Sequence, residues 1–222
     1  RLNTAHQSHE NSLKVINNVR KVTERIAILL DTKGPEIRTK ASDKEIQVVA
    51  GDKLYVTGNP EQETTGDTIA VSYPGIVNDI AIGNRLLIDD GDIELQVIEK
   101  NDGFLYCEVH NDGIIAGKKS VNIPSAQLKL DSLSNKDRDY IRFAAANDLD
   151  FIAHSFVRRK EDIQAIKAIL EEEGKSIKII AKIENQEGVY NIDEILEEAD
   201  GVMVARGVLA IEIPQSRITI IQ

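Results

Sequence analysis

Short apolar runs rich in β-branched residues constrain the fold of this chain more than any other feature of its sequence. They are IAILL at 26–30, FIAHSFV at 151–157, IKIIAKI at 177–183 and VMVA at 202–205. Because these runs do not alternate with polar residues, they predict strands that are covered on both faces, as in a parallel sheet. Amphipathic helical patterns accompany them at 9–22, 134–148, 160–174 and 189–199. The alternation of strand and helix predicts an α/β fold at both ends of the chain.

The middle of the chain, from about residue 40 to residue 124, has a different pattern. Apolar and polar residues alternate there, as in KEIQVVAGDKLYVTG and DIELQVIEKNDGFLYCEV. The turns NDG (at 101–103 and 111–113) and DDGD (at 89–92) are typical of hairpins. An alternation of period 2 predicts strands with one buried face. We therefore predict an all-β domain inserted into the α/β chain.

The composition argues against several classes of partner. The formal net charge is -10, from 27 Lys+Arg against 37 Asp+Glu, whereas nucleic acids and anionic membranes require a basic surface. Cys107 is the only cysteine, so the sequence holds neither a disulfide framework nor a CxxC metal site. No apolar run approaches the roughly 20 residues of a membrane span. We expect a cytoplasmic protein that binds neither nucleic acid nor membrane.

Polar or glycine-rich residues follow three of the predicted strands: DTKGPE after residue 30, KIENQEG after 181 and ARG after 204. In parallel α/β folds the loops that follow the strands meet at one face, and that face carries the site. Lys182 and Glu184 are two residues apart, so a strand places both side chains on the same face. From the residues alone, this pair is either a structural salt bridge or part of a site for an anion and a metal ion.

Two further residues have a plain interpretation. His154 lies within an apolar run, and Cys107 lies within an alternating one. Both are predicted to be packed core residues.

A series of stretches, in this order along the chain, resembles the pyruvate kinase family. The stretches are RLNxxH at 1–6, LDTKGPEIRT at 30–39, IDDG at 88–91, KKSVNIP at 118–124, DFIAHSFVR at 150–158, IIAKIENQEGVYNIDEIL at 179–196 and GVMVARG at 201–207. The resemblance implies a partial TIM (β/α)8 barrel with an inserted all-β lid domain.

The same resemblance implies how the chain is divided. Residues 1–39 would form a barrel part from the end of strand 2 to strand 3, residues 40–125 the inserted lid domain, and residues 126–222 a barrel part with strands 4 to 6. Strands 1, 7 and 8 and a C-terminal domain would lie outside this sequence. We therefore expect a piece of a longer chain, poorly stable by itself because an open barrel exposes strand edges.

The family transfers a phosphoryl group from phosphoenolpyruvate to ADP, giving pyruvate and ATP, in the last step of glycolysis. Such a transfer depends on positioning and on positive charge around the moving group. The resemblance implies that Lys182 and Arg1 lie beside the phosphoryl group and that Glu184 binds Mg²⁺ (or Mn²⁺). It also implies that the backbone of residues 205–207 (Ala205, Arg206 and Gly207) receives the substrate carboxylate.

Two more sets of residues are implied in the same way. K⁺ would be held by Asn3, Asp31 and Thr32, and Glu36 is of the type associated in the family with dependence on K⁺. The nucleotide would be contacted by His6, Arg38 and Lys119. Because the family is usually tetrameric, the parent protein is expected to be a homotetramer.

The chain also departs from the family pattern. Val208 stands where the family has its second metal carboxylate, and valine has neither charge nor lone pairs. Ala5 replaces a serine of the cation site, Gln7 replaces a glycine, and Ser120 and Ser125 stand where glycines are common in the lid. The sequence therefore predicts weakened metal binding and poor turnover.

Three hypotheses follow from these residues. The chain is the central piece of an active pyruvate kinase, or it is a non-catalytic relative that binds phosphoenolpyruvate or nucleotide without turnover. The third hypothesis is a sequence difference at Val208, since Asp and Val codons differ by one base. Intact Arg1, Lys182 and Glu184 favour the first, whereas Val208 and Ala5 favour the second.

Overall fold

The computed structural model of the chain describes residues 1–5, 7–42, 45–124 and 126–222. The chain divides into two compact units. The first consists of Arg1–Pro35, Asp131–Leu209 and Ile221–Gln222, and the second of Glu36–Leu130 and Ala210–Ile220.

Strands and helices alternate at both ends of the chain, and strands dominate its middle. The strands are β1 (Leu2–Asn3), β2 (Leu29–Asp31), β3 (Ile46–Val48), β4 (Lys53–Thr57), β5 (Thr68–Ala70), β6 (Arg85–Ile88), β7 (Ile93–Lys100), β8 (Leu105–Val109), β9 (Gly113–Ile115), β10 (Val121–Asn122), β11 (Phe151–His154), β12 (Lys178–Ile183) and β13 (Gly201–Val204). The helices are α1 (His9–Val22), α2 (Ile76–Asp79), α3 (Asn135–Ala146), α4 (Lys160–Glu172), α5 (Gln186–Tyr190), α6 (Ile192–Glu198), α7 (Arg206–Glu212) and α8 (Gln215–Ile221).

The first unit is built on one parallel sheet. Within the described residues its order is β1-β2-β11-β12-β13, and every neighbouring pair is parallel. Residues such as Leu30, Ile152, Ile166 and Ile195 are fully buried in the core of this unit. The predicted α/β fold with a parallel sheet is therefore confirmed.

Local sequence signals explain where the main helices begin. The side chain of Ser134 accepts the backbone N–H of Asp137, and the Asp137 carboxylate accepts the backbone N–H of Ser134, so that the two residues form a capping box. Ser8 caps α1 by accepting the N–H of Asn11 at 3.2 Å. These caps satisfy N–H groups that the first helical turn cannot pair internally.

Three predictions of element boundaries are wrong in detail, the first being the strand predicted over 26–30, which begins only at Leu29. The helix predicted over 189–199 is split into α5 and α6, because Asn185 caps a new start at Gln186 (its Oδ1 accepts the N–H of Gly188 at 2.7 Å) and Asn191 leaves helical geometry. The strand predicted over 151–157 ends at His154. Phe156, two residues later, has a φ of 57°, which is rare for a residue other than glycine and incompatible with a strand.

The second unit is rich in strands. Its larger sheet has the order β10-β6-β7-β8-β4-β5, and β3 pairs with β9. Along β7, buried and half-buried residues alternate as far as Ile98, as the period-2 pattern predicts. Cys107 is fully buried in this core, and burial raises the pKa of its thiol to about 12. Cys107 is thus the core residue that the sequence predicted.

Within the described residues, no helix combines the length and apolarity that crossing a membrane requires.

Candidate functional site

The carboxyl ends of the parallel strands meet at one edge of the sheet. Asn3 pairs in register with Asp31, which in turn pairs with Ala153. Ile183, the last residue of β12, pairs with Val204, the last residue of β13. The polar residues that follow these strands therefore lie along one edge, as the sequence predicted.

Lys182 is the centre of a buried charged cluster at this edge. Its Nζ lies 3.1 Å from Asp31 Oδ1, 3.1 Å from Glu184 Oε1 and 2.7 Å from Ser155 Oγ. The side chains of Lys182, Asp31 and Glu184 are 9%, 4% and 4% exposed. An ammonium group has three N–H donors, so each of them has an acceptor within the chain.

Arg1 brings the second cation to the cluster. Its Nη2 contacts Asp31 Oδ2, although the Arg1 side chain is 57% exposed. The cluster therefore contains two cations, Arg1 and Lys182, and two carboxylates, Asp31 and Glu184, whose formal charges cancel. Lys182 and Glu184 form the salt bridge of the first interpretation, and this salt bridge lies where the loops of the parallel sheet meet.

Ser155 is part of this cluster, and the sequence did not single it out. Its hydroxyl accepts from Lys182 Nζ at 2.7 Å and donates to the carbonyl oxygen of Thr32 at 2.7 Å. Ser155 thereby links β12 to the loop after β2. Its position directly after an apolar strand was the available signal, but only the register of neighbouring strands brings it to Lys182.

Glu184 has a second partner besides Lys182. Its Oε2 accepts the backbone N–H of Phe156 at 2.8 Å. A non-glycine residue with a positive φ costs about 1–3 kcal/mol unless its surroundings hold it, so this hydrogen bond helps to stabilise the turn at Phe156. Both carboxylate oxygens of Glu184 are therefore engaged by groups of the protein.

Asp137 holds the loop that follows β2, a role that its capping box did not reveal. Besides capping α3, its Oδ1 accepts the backbone N–H of Lys33 at 3.1 Å and that of Gly34 at 3.4 Å. Asp137 is fully buried. Gly34 has a φ of +71°, and a Cβ there would lie 2.6 Å from the carbonyl oxygen of Ser155. Only glycine permits this close approach of the loop to Ser155, the residue that follows β11.

His154 is buried, as the sequence predicted, and it contacts the same loop. Its Nδ1 lies 2.8 Å from Thr32 Oγ1, while Nε2 has no hydrogen-bond partner among the described residues. Burial lowers the pKa of His154 to about 4; Asp137 and Asp162 oppose this shift, and Arg158 and Lys182 add to it. His154 is therefore neutral at pH 7.

The buried His154 predicts a loss of stability in mild acid. An unfolded histidine has a pKa near 6.5 and the folded one a pKa of about 4, so between these values the unfolded state binds the extra proton and stability falls as the pH is lowered. His154→Gln, which does not titrate, should lose less. We expect the two profiles of unfolding free energy, measured in urea from pH 7 to pH 4, to diverge by up to about 1.4 kcal/mol per pH unit. Parallel profiles would contradict the lowered pKa of His154 in the folded protein.

The two residues at the predicted Mg²⁺ site are not arranged to bind a divalent metal ion. Glu184 is held on both oxygens, and Val208, the third residue of α7, has no donor atom. In the parts of the chain that the structure describes, no three His, Cys, Asp or Glu side chains gather as a metal site would require.

Two of the residues predicted to bind K⁺ lie on neighbouring strands, but Asp31 has both carboxylate oxygens held, by Arg1 and Lys182, just as Glu184 has both of its own held. Asn3 and Asp31 are register partners, and Thr32 follows Asp31 directly. Asn3 Oδ1 accepts the N–H of Ala5 at 3.0 Å, and the Thr32 carbonyl accepts from Ser155. Each oxygen retains lone pairs for a cation.

The substrate carboxylate was predicted to meet the segment that follows β13. Ala205 uses its N–H to bond the carbonyl of Ile183 at 3.2 Å. Arg206 and Gly207 are exposed in the first turn of α7. Their backbone N–H groups are therefore better placed than that of Ala205 to receive an anion.

Of the three residues predicted to contact nucleotide, the structure describes Arg38 and Lys119. His6 lies outside the described residues. Arg38 and Lys119 belong to the second unit, and each is paired with a carboxylate there: Arg38 with Glu36 (Nη2 to Oε1, 2.6 Å) and Lys119 with Asp89 (Nζ to Oδ2, 2.6 Å).

Parallel strands that follow one another in chain order, with polar residues gathered at their carboxyl ends, are typical of the α/β barrel class, whose members keep their sites at that edge. The family model described as "Pyruvate kinase, barrel domain" matches residues 1–222. The chain belongs to the pyruvate kinase family.

Individual relatives agree with this membership. The chain is 48% identical to a pyruvate kinase of Borreliella burgdorferi over 100% of its own length and 46% of the relative, and 45% identical to one of Staphylococcus epidermidis over 100% and 39%. A crystal structure of a pyruvate kinase from Cryptosporidium parvum superposes with a TM-score of 0.94 at 40% identity, covering 100% of this chain and 48% of that one. The chain thus spans less than half the length of these relatives.

Proposed function

We propose that the protein catalyses phosphoryl transfer from phosphoenolpyruvate to ADP, giving pyruvate and ATP. The observation that carries this proposal is the Lys182 ammonium group, buried at the carboxyl edge of the sheet in a family of pyruvate kinases. Charge that develops on a moving phosphoryl group is stabilised by fixed cations in a site with little water. Lys182 and Arg1 are the cations available there.

In this proposal the substrate phosphate replaces a partner of Lys182. Ser155 is the neutral partner, so exchanging its hydroxyl for a phosphate oxygen adds charge attraction without leaving a carboxylate unpaired. Asp31 and Glu184 then keep the lysine in place during the exchange. The N–H groups of Arg206 and Gly207 receive the substrate carboxylate.

The other roles are proposed on the basis of family membership. Asn3, Asp31 and Thr32 hold K⁺, and His6, Arg38 and Lys119 contact the nucleotide. The parent protein is proposed to be a cytoplasmic homotetramer.

A second candidate function is binding of phosphoenolpyruvate or nucleotide without turnover. Val208 favours it, because the position has no oxygen with which to hold a metal ion. The charge balance of the cluster favours it as well. Since Asp31 and Glu184 cancel the charges of Arg1 and Lys182, an anionic substrate meets little net positive charge unless added cations supply it.

Both candidate functions include binding of phosphoenolpyruvate at Lys182. Titration calorimetry with phosphoenolpyruvate in K⁺ buffer tests this binding. We expect Lys182→Met to weaken binding by at least tenfold, because the ammonium group is a direct ligand of the phosphate. The matched control is Lys178→Met on the same strand, where an exposed lysine pairs with Asp200; its affinity should equal that of the wild type. Equal affinities for all three proteins would overturn the proposal.

Formation of pyruvate from phosphoenolpyruvate and ADP separates the two candidates. Turnover by the wild-type protein supports the kinase, and tight binding with no pyruvate supports the second candidate.

A further inference from the structure

Lys119 lies in the second unit, in the loop that precedes β10. It forms an ion pair with a carboxylate of its own chain. Its Nζ lies 2.6 Å from Asp89 Oδ2, and the two side chains are 38% and 32% exposed. The pKa of Lys119 lies above its usual value because of the hydrogen bond and charge of Asp89, to which the charges of Asp92 and Asp90 add. A phosphate that binds Lys119 must therefore compete with an acidic turn that is already in contact.

The turn that presents Asp89 has an unusual backbone. Asp89, Asp90 and Gly91 have consecutive φ angles of 54°, 57° and 94°. Residues other than glycine rarely adopt such values, although Asp and Asn do so more readily than most. Two successive non-glycine residues in this region persist only where the surroundings hold them.

Ser120, the residue next to Lys119, supplies that support. Its hydroxyl accepts the backbone N–H of Asp90 at 2.9 Å and donates to Asp90 Oδ1 at 2.7 Å. Its carbonyl oxygen accepts the N–H of Asp89 at 3.0 Å. Three hydrogen bonds thus join Ser120 to the turn, and they place Asp89 beside Lys119.

We propose that Asp89 is an affinity-setting residue, which competes with the phosphate oxygens of a nucleoside diphosphate for Lys119 and is positioned to do so by Ser120. The inference rests on the proposed function only in taking Lys119 as a phosphate-binding residue. The Ser120 hydroxyl contributes specifically to positioning Asp89, because an alanine or glycine at position 120 would keep the carbonyl contact to Asp89 and lose both contacts to Asp90.

The experiment compares the whole protein and its variants in binding ADP and inorganic tripolyphosphate, by titration calorimetry at low ionic strength. Asp89→Asn keeps a residue that tolerates positive φ and removes the competing charge. We expect it to tighten binding of both probes by up to about fivefold, the upper end of the range measured for exposed ion pairs. Ser120→Ala should tighten binding by a smaller factor, and Lys119→Ala should weaken it.

Glu108→Gln is the matched control. Glu108 forms an exposed ion pair with Lys53 on neighbouring strands of the same unit, with exposures of 39% and 38%, so the variant changes the net charge equally. Its affinities should stay at the wild-type values. Equal effects of Asp89→Asn and Glu108→Gln would show that net charge, and not competition at Lys119, sets the affinity, and would overturn the proposal.

The two probes separate this inference from the proposed function. Binding of ADP that weakens in Lys119→Ala but is unchanged in Asp89→Asn overturns the inference alone. The expected changes seen with tripolyphosphate but without ADP binding would show that Asp89 competes with a polyphosphate at Lys119, and would overturn the assignment of that ligand as a nucleoside diphosphate. If neither probe binds, or if Lys119→Ala has no effect, Lys119 is not a phosphate ligand and the inference is overturned.

Discussion

Replacing Val208 with aspartate is expected to strengthen Mn²⁺ binding by at least about 10–100-fold, the cost typical of losing even an indirect partner of a metal site. The physical reason is that valine offers no lone pair, whereas aspartate adds a charged oxygen ligand at the edge that Glu184 also occupies. Val208 lies in the first turn of α7, and its N–H bonds the carbonyl of Ala205 at 3.1 Å. Electron paramagnetic resonance of free Mn²⁺ measures the affinity directly, without requiring turnover.

Val208→Asn is the control for this prediction. Asparagine has the shape of aspartate but no charge, so its gain in Mn²⁺ affinity should be much smaller. If wild type and Val208→Asp bind Mn²⁺ equally, the missing carboxylate is not what limits the metal. If Val208→Asp gains both Mn²⁺ affinity and pyruvate formation, the residue at position 208 separates an active kinase from a binding protein.

Removing Lys182 is expected to cause the largest loss of stability. Lys182→Met leaves Glu184, 4% exposed on its side chain, with an uncompensated buried charge, and leaves the equally buried Asp31 with Arg1 as its one remaining cation. Breaking a buried ion pair from one side costs about 3–5 kcal/mol. The urea-unfolding midpoint, followed by far-UV circular dichroism, should fall accordingly.

Two variants test the cause of that loss. Lys178→Met removes an ion pair from the same strand, but Lys178 is 65% exposed, so its cost should stay below about 1 kcal/mol. Adding Glu184→Gln to Lys182→Met removes the carboxylate that has lost its cation and should restore part of the stability. Equal losses for Lys178→Met and Lys182→Met would show that the buried cluster is not a source of stability.

The sequence specified the secondary structure well where its signals were local. The capping box of Ser134 and Asp137 marked the start of α3, and continuous β-branched runs marked the strands of a parallel sheet. It failed where a boundary depends on distant partners. The run 151–157 is apolar throughout, yet the strand stops at His154, because Phe156 donates its N–H to Glu184, a residue 28 positions away.

For the candidate site, too, the sequence predicted the local features but not the contacts between distant residues. The spacing of Lys182 and Glu184 was enough to place both on one face of a strand, since side chains alternate along it. Nothing in the spacing revealed that Ser155 completes the coordination of Lys182, or that Asp137 holds the backbone of Lys33 and Gly34. Those contacts join residues that are 27 to 104 positions apart.

By itself the sequence determined the α/β class, the strand-rich middle, the family and the absence of a donor atom at Val208, because these follow from periodicity, motif and residue chemistry. Only the tertiary structure decided that Lys182 is fully engaged by Asp31, Glu184 and Ser155, and that Lys119 is paired with Asp89. The reason is physical: whether a charged group is available to a ligand depends on the neighbours that strand register and turn geometry bring within about 3 Å, and these are properties of the folded chain.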